Sequence, residues 1–368
     1  MKIKKATRNY EAWLAKQIDL IPADLERKHA AMAADVFPFL RATFYRWMQR
    51  WPEVCPAEQK APKVLAVGDL HVENFGTWRD VEGRLVWGIN DFDEAFDLPF
   101  SVDLVRLAAS AHIAVREARL AIVPRDACDA ILAGYKRGIQ TGGRAYVLAE
   151  AHPWLRATMS STLRDPLGYW EKLDSLPTWR GRVSKSARRA IERMLPEKEL
   201  EYRIAHRIAG LGSLGRERYV AIAEYRGGKI AREAKALAPS ACVWAAGKDL
   251  PKRIRYQEII DHARRVPDPF VHLVGRWIVR RLAPDCSRVE LSHLPKEADE
   301  TKLLQAMGFE TANVHLGTPR AVPRIVRDLR RRPRHWLHEA SAAMVKATVE
   351  DWQEWRAGVA KKDDVRKK

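Results

Sequence analysis

The sequence predicts an α+β fold in two lobes, a larger one that is mostly helical and a smaller antiparallel β one. Two observations carry this expectation. Apolar residues recur at spacings of three and four near both ends of the 368-residue chain. From about residue 202 that spacing gives way to alternation broken by glycine pairs. The boundaries expected are a helical lobe over 1–200, a β-rich lobe over 201–297, and helices over 298–368 that return to the first lobe.

Residues 1–53 read as helix, with Phe37, Phe39, Leu40, Phe44 and Trp47 largely on one face and Pro52 and Pro56 as terminators. KVLAVGD and RLVWGIND then read as two short apolar strands, the first running into a polar loop. DLVRLAASAHIAVREARL, from Asp103, is a helix packed through Leu104, Leu107, Ala108 and Ala111, with Asp103 as its cap or first-turn acid and a tie to the loop. Helices are expected near 126–141 and 185–196. Tyr219 to Tyr225 alternates as a strand, Gly227-Gly228 turns, and a third strand reaches Ala236. A helix over Tyr256 to Arg265 and the apolar runs RWIVRRLA and RVELSHL follow. The chain is then helical from about 300, and the tail KKDDVRKK is expected to be disordered.

The composition, 46% hydrophobic and 30% charged, suits a soluble globular chain. Cys55, Cys128, Cys242 and Cys286 form no CxxC pair, so they suggest neither a zinc site nor a disulfide framework. There is neither a signal-peptide pattern nor an apolar run long enough for a membrane span, and a cytoplasmic location is expected. A formal charge of +18 favours anionic partners: a nucleotide, nucleic acid, acidic proteins or a membrane surface. The oligomeric state is not legible.

The segment richest in chemistry is GDLHVENFG. Asp69 and Asn74 stand at the D-x-x-x-x-N spacing of a kinase catalytic loop, where the aspartate takes a hydroxyl proton and the asparagine holds a metal. The second apolar strand ends in Asn90-Asp91-Phe92-Asp93-Glu94, which offers hard oxygen ligands suited to Mg²⁺. Taken singly, such strings are ordinary turns and caps. Together their carboxylates would repel one another unless a cation or proton is present. His71 reads as an orienting residue of the loop, whereas Glu73 and Asp97 read as solvated. Gly210-Leu211-Gly212-Ser213-Leu214-Gly215 is a G-x-G-x-x-G string followed by a strand rather than the helix a Rossmann loop requires. Strand, glycine loop, strand is the arrangement that covers nucleotide phosphates in kinases. In the next strand alternation sets Lys229, Ala231, Glu233 and Lys235 on one face and Arg232 on the other, and both Arg232 and Lys235 stand as phosphate-binding candidates. Glu258 is the candidate ion-pair partner from the following helix.

At GDLHVENFG, NDFDEAFDLPFSVDLVRLAAS, GLGSLGRERYVAI and REAKALAPSA the sequence resembles a bacterial family of uncharacterised proteins, the domain of unknown function 2252, from about Phe37 past His315. The first two strings also resemble the catalytic half of aminoglycoside phosphotransferases and related small-molecule kinases. That likeness implies a protein-kinase-like fold, Asp69 as base, Asn74 and Asp91 as metal ligands with Asp93 as an addition, and ATP and Mg as the bound groups. The family usually has KEA where this chain reads REA, which sets Arg232 at the lysine position. The glycine loop also follows the catalytic loop rather than preceding it, an order that a circular permutation would produce.

The leading expectation is therefore a phosphotransferase moving a phosphoryl group from ATP to an unknown hydroxyl acceptor. AMP transfer or a non-catalytic nucleotide-binding pseudo-kinase is an alternative on the same fold. A two-metal phosphoesterase is a second reading, but His112, His206, His262, His293 and His315 are scattered in the sequence. A nucleic-acid-binding protein is a third, weakened because Trp47, Trp277 and Trp336 sit among apolar neighbours and read as core.

Overall fold

The computed structural model describes residues 1–148, 152–160, 165–247, 250–286 and 299–366; the run RVELSHL and its His293 lie outside them. The fold is α+β with antiparallel sheets. Its helices are α1 (Ile3–Leu14), α2 (Pro22–Ala34), α3 (Val36–Ala42), α4 (Phe44–Val54), α5 (Phe100–Arg116), α6 (Pro124–Thr141), α7 (Pro153–Ser160), α8 (Pro166–Asp174), α9 (Lys185–Glu192), α10 (Ala241–Ala245), α11 (Tyr256–His262), α12 (Glu300–His315), α13 (Val322–Arg331) and α14 (Trp336–Arg366). The strands are β1 (Lys63–Ala66), β2 (Phe75–Arg79), β3 (Leu85–Ile89), β4 (Phe96–Pro99), β5 (Tyr146–Val147), β6 (Arg203–His206), β7 (Arg218–Tyr225), β8 (Gly228–Ala236), β9 (His272–Val274) and β10 (Trp277–Leu282). Among the described residues, no helix is long and apolar enough to cross a membrane.

The two early apolar runs form strands, but they do not pair with each other. β1 pairs with β4, and β3 lies between β2 and β5. The polar loop therefore runs from β1 to β2 and the acidic string from β3 to β4. Pro52 does not end its helix: it sits inside the last turn of α4, which stops at Val54 ahead of Pro56. The final helix continues through the tail to Arg366.

Strands β6 to β10 form one sheet in the order β6-β7-β8-β10-β9. Its alternation is strict. Ile204, Tyr219, Ala221, Ala234 and Ala236 face Ala187, Ala190 and Ile191 of α9, whereas Ala205, Val220, Ile222 and Ala231 face Tyr169 and Leu173 of α8. Both helices precede residue 201, so the sheet's own packing unit begins earlier than composition suggests.

The main core joins α1, α3 to α6 and α12 to α14 with the first strands. Trp47, Trp277 and Trp336 are all buried. Helices α6 and α12 approach so closely that their glycines touch backbone. A Cβ on Gly134 would lie 1.9 Å from the Gln305 carbonyl oxygen, and one on Gly308 2.0 Å from that of Ile131. The close approach matters downstream, because α12 presents Glu310 to β3, with Oε1 3.3 Å from the Ile89 N–H, and His315 to Asp103. A buried bidentate pair, Arg46 to Asp351 at 2.8 Å through both Nε and Nη2, ties α4 to α14.

Gly134→Ala is expected to cost about 3 kcal/mol, the upper end of overpacking penalties, because backbone rather than a movable side chain stands in the way. Denaturant unfolding of the two proteins measures it; an unchanged midpoint would mean that the helices are not in contact there.

Candidate functional site

The loop after β1 turns sharply at Gly68, whose φ of +83 and whose contact with the Glu94 carbonyl leave no room for a side chain. Its free N–H groups are taken by α5. Asp103 accepts from Val67 N at 2.7 Å and Gly68 N at 2.8 Å, and one turn on, Arg106 donates through Nε at 2.8 Å and through Nη2 to Asp69 Oδ1. A further turn on, Ser110 Oγ accepts from Val72 N at 3.0 Å. Positions 103, 106 and 110 share one helix face, so a single helix grips four loop residues. Arg106 is fully buried, lies over the rings of Phe44 and Trp47, and also donates to the Leu40 carbonyl.

Inside the loop, Asn74 Nδ2 donates to the Asp69 carbonyl at 2.7 Å, which leaves Oδ1 as the acceptor for other groups. His71 is buried and its Nδ1 accepts from Glu73 N at 3.2 Å, so the ring braces the loop. Glu73 is not solvated as its sequence suggests: it is buried against Arg41 at 2.6 Å, with Arg119 at 3.8 Å. Asp97 is exposed and paired with Arg255.

The glycine string lies opposite this loop. Gly210 and Gly215 take positive φ around a short 3-10 turn at Leu211–Ser213. A Cβ on Gly212 would sit 3.1 Å from the Arg41 carbonyl oxygen and 3.3 Å from Asp69 Oδ2. Lys28 of α2 donates to the Gly212 carbonyl at 2.8 Å, and Arg218 donates to Ser213 Oγ at 2.7 Å. Burial, reinforced by Arg216, pulls the Lys28 ammonium down to about 8. Asp69, His71, Asn74, Asp91, Asp93, Gly210, Gly212 and Ser213 therefore line one narrow cleft of about 70 Å³. Its wall shares Asn90, Asp91 and Gly210 with a wider cavity of about 340 Å³ lined by Trp78, Phe92, Tyr169 and Tyr256 and by several arginines.

Strand parity separates the two candidates on β8. Lys235 reaches Asp93 Oδ1 at 2.6 Å and Asp91 Oδ1 at 3.4 Å. Arg232, on the other face, donates to the Met194 carbonyl and lies over Phe270, away from the acids. Glu258 does not reach either of them; it pairs with Arg255 and Arg253. The carboxylate two residues before Lys235, Glu233, is clamped instead by Arg207, Arg218 and Arg280, and although buried it is held well below the usual range by those three cations.

Burial pushes Asp69 up, against the opposing pull of Arg106, and Asp91 adds to the rise. Asp91 and Asp93 share one ammonium. Burial and then repulsion from Asp91 push Asp93 up, whereas at Asp91 burial is outweighed by Lys235 acting together with the Asp93 hydrogen bond, Arg280 and Arg218, and the group is held down. The proton belongs to the pair. Glu94, also raised by burial, accepts from Ser240 Oγ at 2.9 Å and Ala241 N at 2.6 Å, and Arg216 links it to the glycine turn at 3.2 Å. Arg106 and Lys28 stand in no motif. For Arg106 the available signal was its helical spacing with Asp103 and Ser110 inside an otherwise apolar helix.

Lys235→Met leaves two carboxylates facing each other. The expected cost at pH 8 is about 2–3 kcal/mol, below the range for fully buried pairs because Asp91 is partly exposed. Asp93 already holds its proton above the unfolded value and loses its nearest cation, so the deficit is full above its folded-state value and shrinks as pH falls through it. Unfolding curves across pH measure this, and Asp93→Asn in the same chain should recover most of the loss. A deficit independent of pH would rule the account out.

Comparison with curated proteins and with solved structures finds no match. Residues 20–167, which hold the whole of the first loop and of the acidic string but stop short of the glycine turn, match the model of a family described as "Uncharacterized protein conserved in bacteria (DUF2252)".

Proposed function

We propose that this protein is a kinase-like phosphotransferase that moves a phosphoryl group from ATP to a hydroxyl acceptor with Mg²⁺. The observation that carries the reading is the single cleft shared by the Asp69–Asn74 loop, Asp91 and the glycine turn, although the turn comes from a distant part of the chain. The order β6, glycine turn, β7, β8 with Lys235 on β8 corresponds to the phosphate-covering strands of kinases, and a circularly permuted kinase-like fold accounts for its following the catalytic loop. The wider cavity is of ligand size, and its aromatic and cationic walls suit a base and phosphates.

The donor set fits magnesium. Asn74 Oδ1 and the carboxylates of Asp91 and Asp93 are hard oxygens, and the ammonium now between the two acids shows that the position favours a cation. The ion, when bound, would neutralise phosphate charge. The chain supplies the rest. Arg106 holds Asp69 Oδ1, so Oδ2, on the side of Gly212, is the atom that takes the acceptor hydroxyl proton. The backbone of Gly210 to Gly215 covers the phosphates, and Lys235 exchanges a carboxylate for a phosphate oxygen.

The phosphoesterase reading loses support, because His71 is the one histidine lining the cleft among the described residues. His206 bonds Asp24, His262 the Glu258 carbonyl and His315 Asp103.

Mg²⁺·ATP should raise the melting temperature of the wild type by mass action, and Asp91→Ala should abolish most of that gain. Asp69→Asn should keep the nucleotide shift but lose transfer by about 10²–10⁴-fold. ATP labelled at the γ or the α position separates phosphoryl from AMP transfer. No shift with any Mg²⁺·nucleotide would defeat the proposal.

A further inference from the structure

Far from the acidic cleft, three side chains that the sequence leaves scattered converge between α5, α6 and α14. One ligand atom each from His112, Cys128 and His338 lies within 4.8 Å of the others, and among the described residues this is the one such group of histidine, cysteine or acid side chains. We propose that His112, Cys128 and His338 form a binding site for a zinc-class transition-metal ion that staples these helices together.

The geometry is close to what such an ion needs. Bond lengths of about 2.3 Å to sulfur and about 2.0–2.1 Å to nitrogen at a tetrahedral angle put the two ligands roughly 3.6 Å apart. Cys128 Sγ and His112 Nε2 are 3.3 Å apart. His338 adds a buried Nδ1 with no hydrogen-bond partner among the described residues. Its ring lies 5.1 Å from that of His112. The residue is only half-buried, which provides an entry path. Ser341 Oγ, 3.6 Å from the sulfur, or a water completes four ligands.

A thiolate and two imidazoles are soft and borderline donors, which select zinc-class ions over the magnesium that suits carboxylates. A cysteine thiol is ordinarily protonated at pH 7 without metal. Binding breaks its S–H bond as the S–metal bond forms from the sulfur lone pair, and the proton passes to solvent. Each histidine contributes a ring-nitrogen lone pair and loses no proton.

The test uses the full-length chain stripped of metal and titrated with Zn²⁺ or Co²⁺. Expected are one equivalent bound, one proton released per ion at pH 7, a thiolate-to-cobalt charge-transfer band, and a melting temperature several degrees higher. Cys128→Ser should lose the band and His338→Gln should weaken binding at least tenfold, each with an unchanged metal-free melting curve. Should Cys128→Ser itself fail to fold, His338→Gln alone decides, since that position is partly exposed. Asp91→Ala should retain the site in full, which keeps the result independent of the acidic cleft. Absence of the band, or zinc binding that both variants preserve, would overturn the proposal.

Discussion

The site depends on one face of one helix. A loop that leaves β1 at Val67 has backbone N–H groups too deep to reach water, and each left unpaired would cost about 1–3 kcal/mol. Helix α5 answers with three polar residues at helical spacing, Asp103, Arg106 and Ser110, all buried. Their partners run in order along the loop, Val67 and Gly68, then Asp69, then Val72. The loop's path is therefore set by the pitch of a rigid helix. His315 of α12 completes the arrangement, 3.0 Å from Asp103 and 2.9 Å from the Tyr135 hydroxyl, so the returning helices help fix the loop.

Beside the shared apolar core, the helical part and the five-stranded sheet meet across the cleft in a set of ion pairs. Lys235 meets Asp91 and Asp93, Arg216 meets Glu94, and His206 meets Asp24. Such pairs recover little more than the desolvation they cost, so an apolar seam of similar size would hold the halves at least as firmly. They set position instead. The glycine turn approaches so closely that a Cβ on Gly212 would lie 3.3 Å from Asp69 Oδ2. An error of an ångström there would open or close the cleft, and directional contacts resist that better than oily ones. The same logic explains three arginines around Glu233. One carboxylate balances one of them, and the surplus leaves positive potential at the wall of the wider cavity.

Much of this was legible in the sequence, for identifiable reasons. The α+β class, the helix from Asp103, the hairpin at Gly227-Gly228 and the acids of the cleft all follow from short-range period and turn chemistry. What failed to show was tertiary. Strand pairing around β3, the packing of α8 and α9 on the sheet, and the contact of Gly134 with α12 are set by partners far along the chain. Glu73 reads as solvated because nothing local announces Arg41, which lies on the facing helix. Arg106 was passed over inside an apolar run, where the stripe of Leu104 and Leu107 drew the reading of that helix to packing. Its buried cation makes sense only beside Asp69.

The string REA on β8 shows how far parity alone can decide. A residue one place along a strand points to the opposite face, so Arg232 could never have met acids that face Ala231 and Glu233. Lys235 lies on their side, two residues beyond Glu233 and within reach of both carboxylates. If that lysine is the group that meets phosphate, an arginine at position 232 leaves the function intact, because its guanidinium serves the packing of the sheet against Met194 and Phe270. The ammonium would then have two settings, on the carboxylates when the cleft is empty and on phosphate when Mg²⁺ takes over the acids. A cation or a proton is needed there, because two carboxylates this close do not both stay ionised alone.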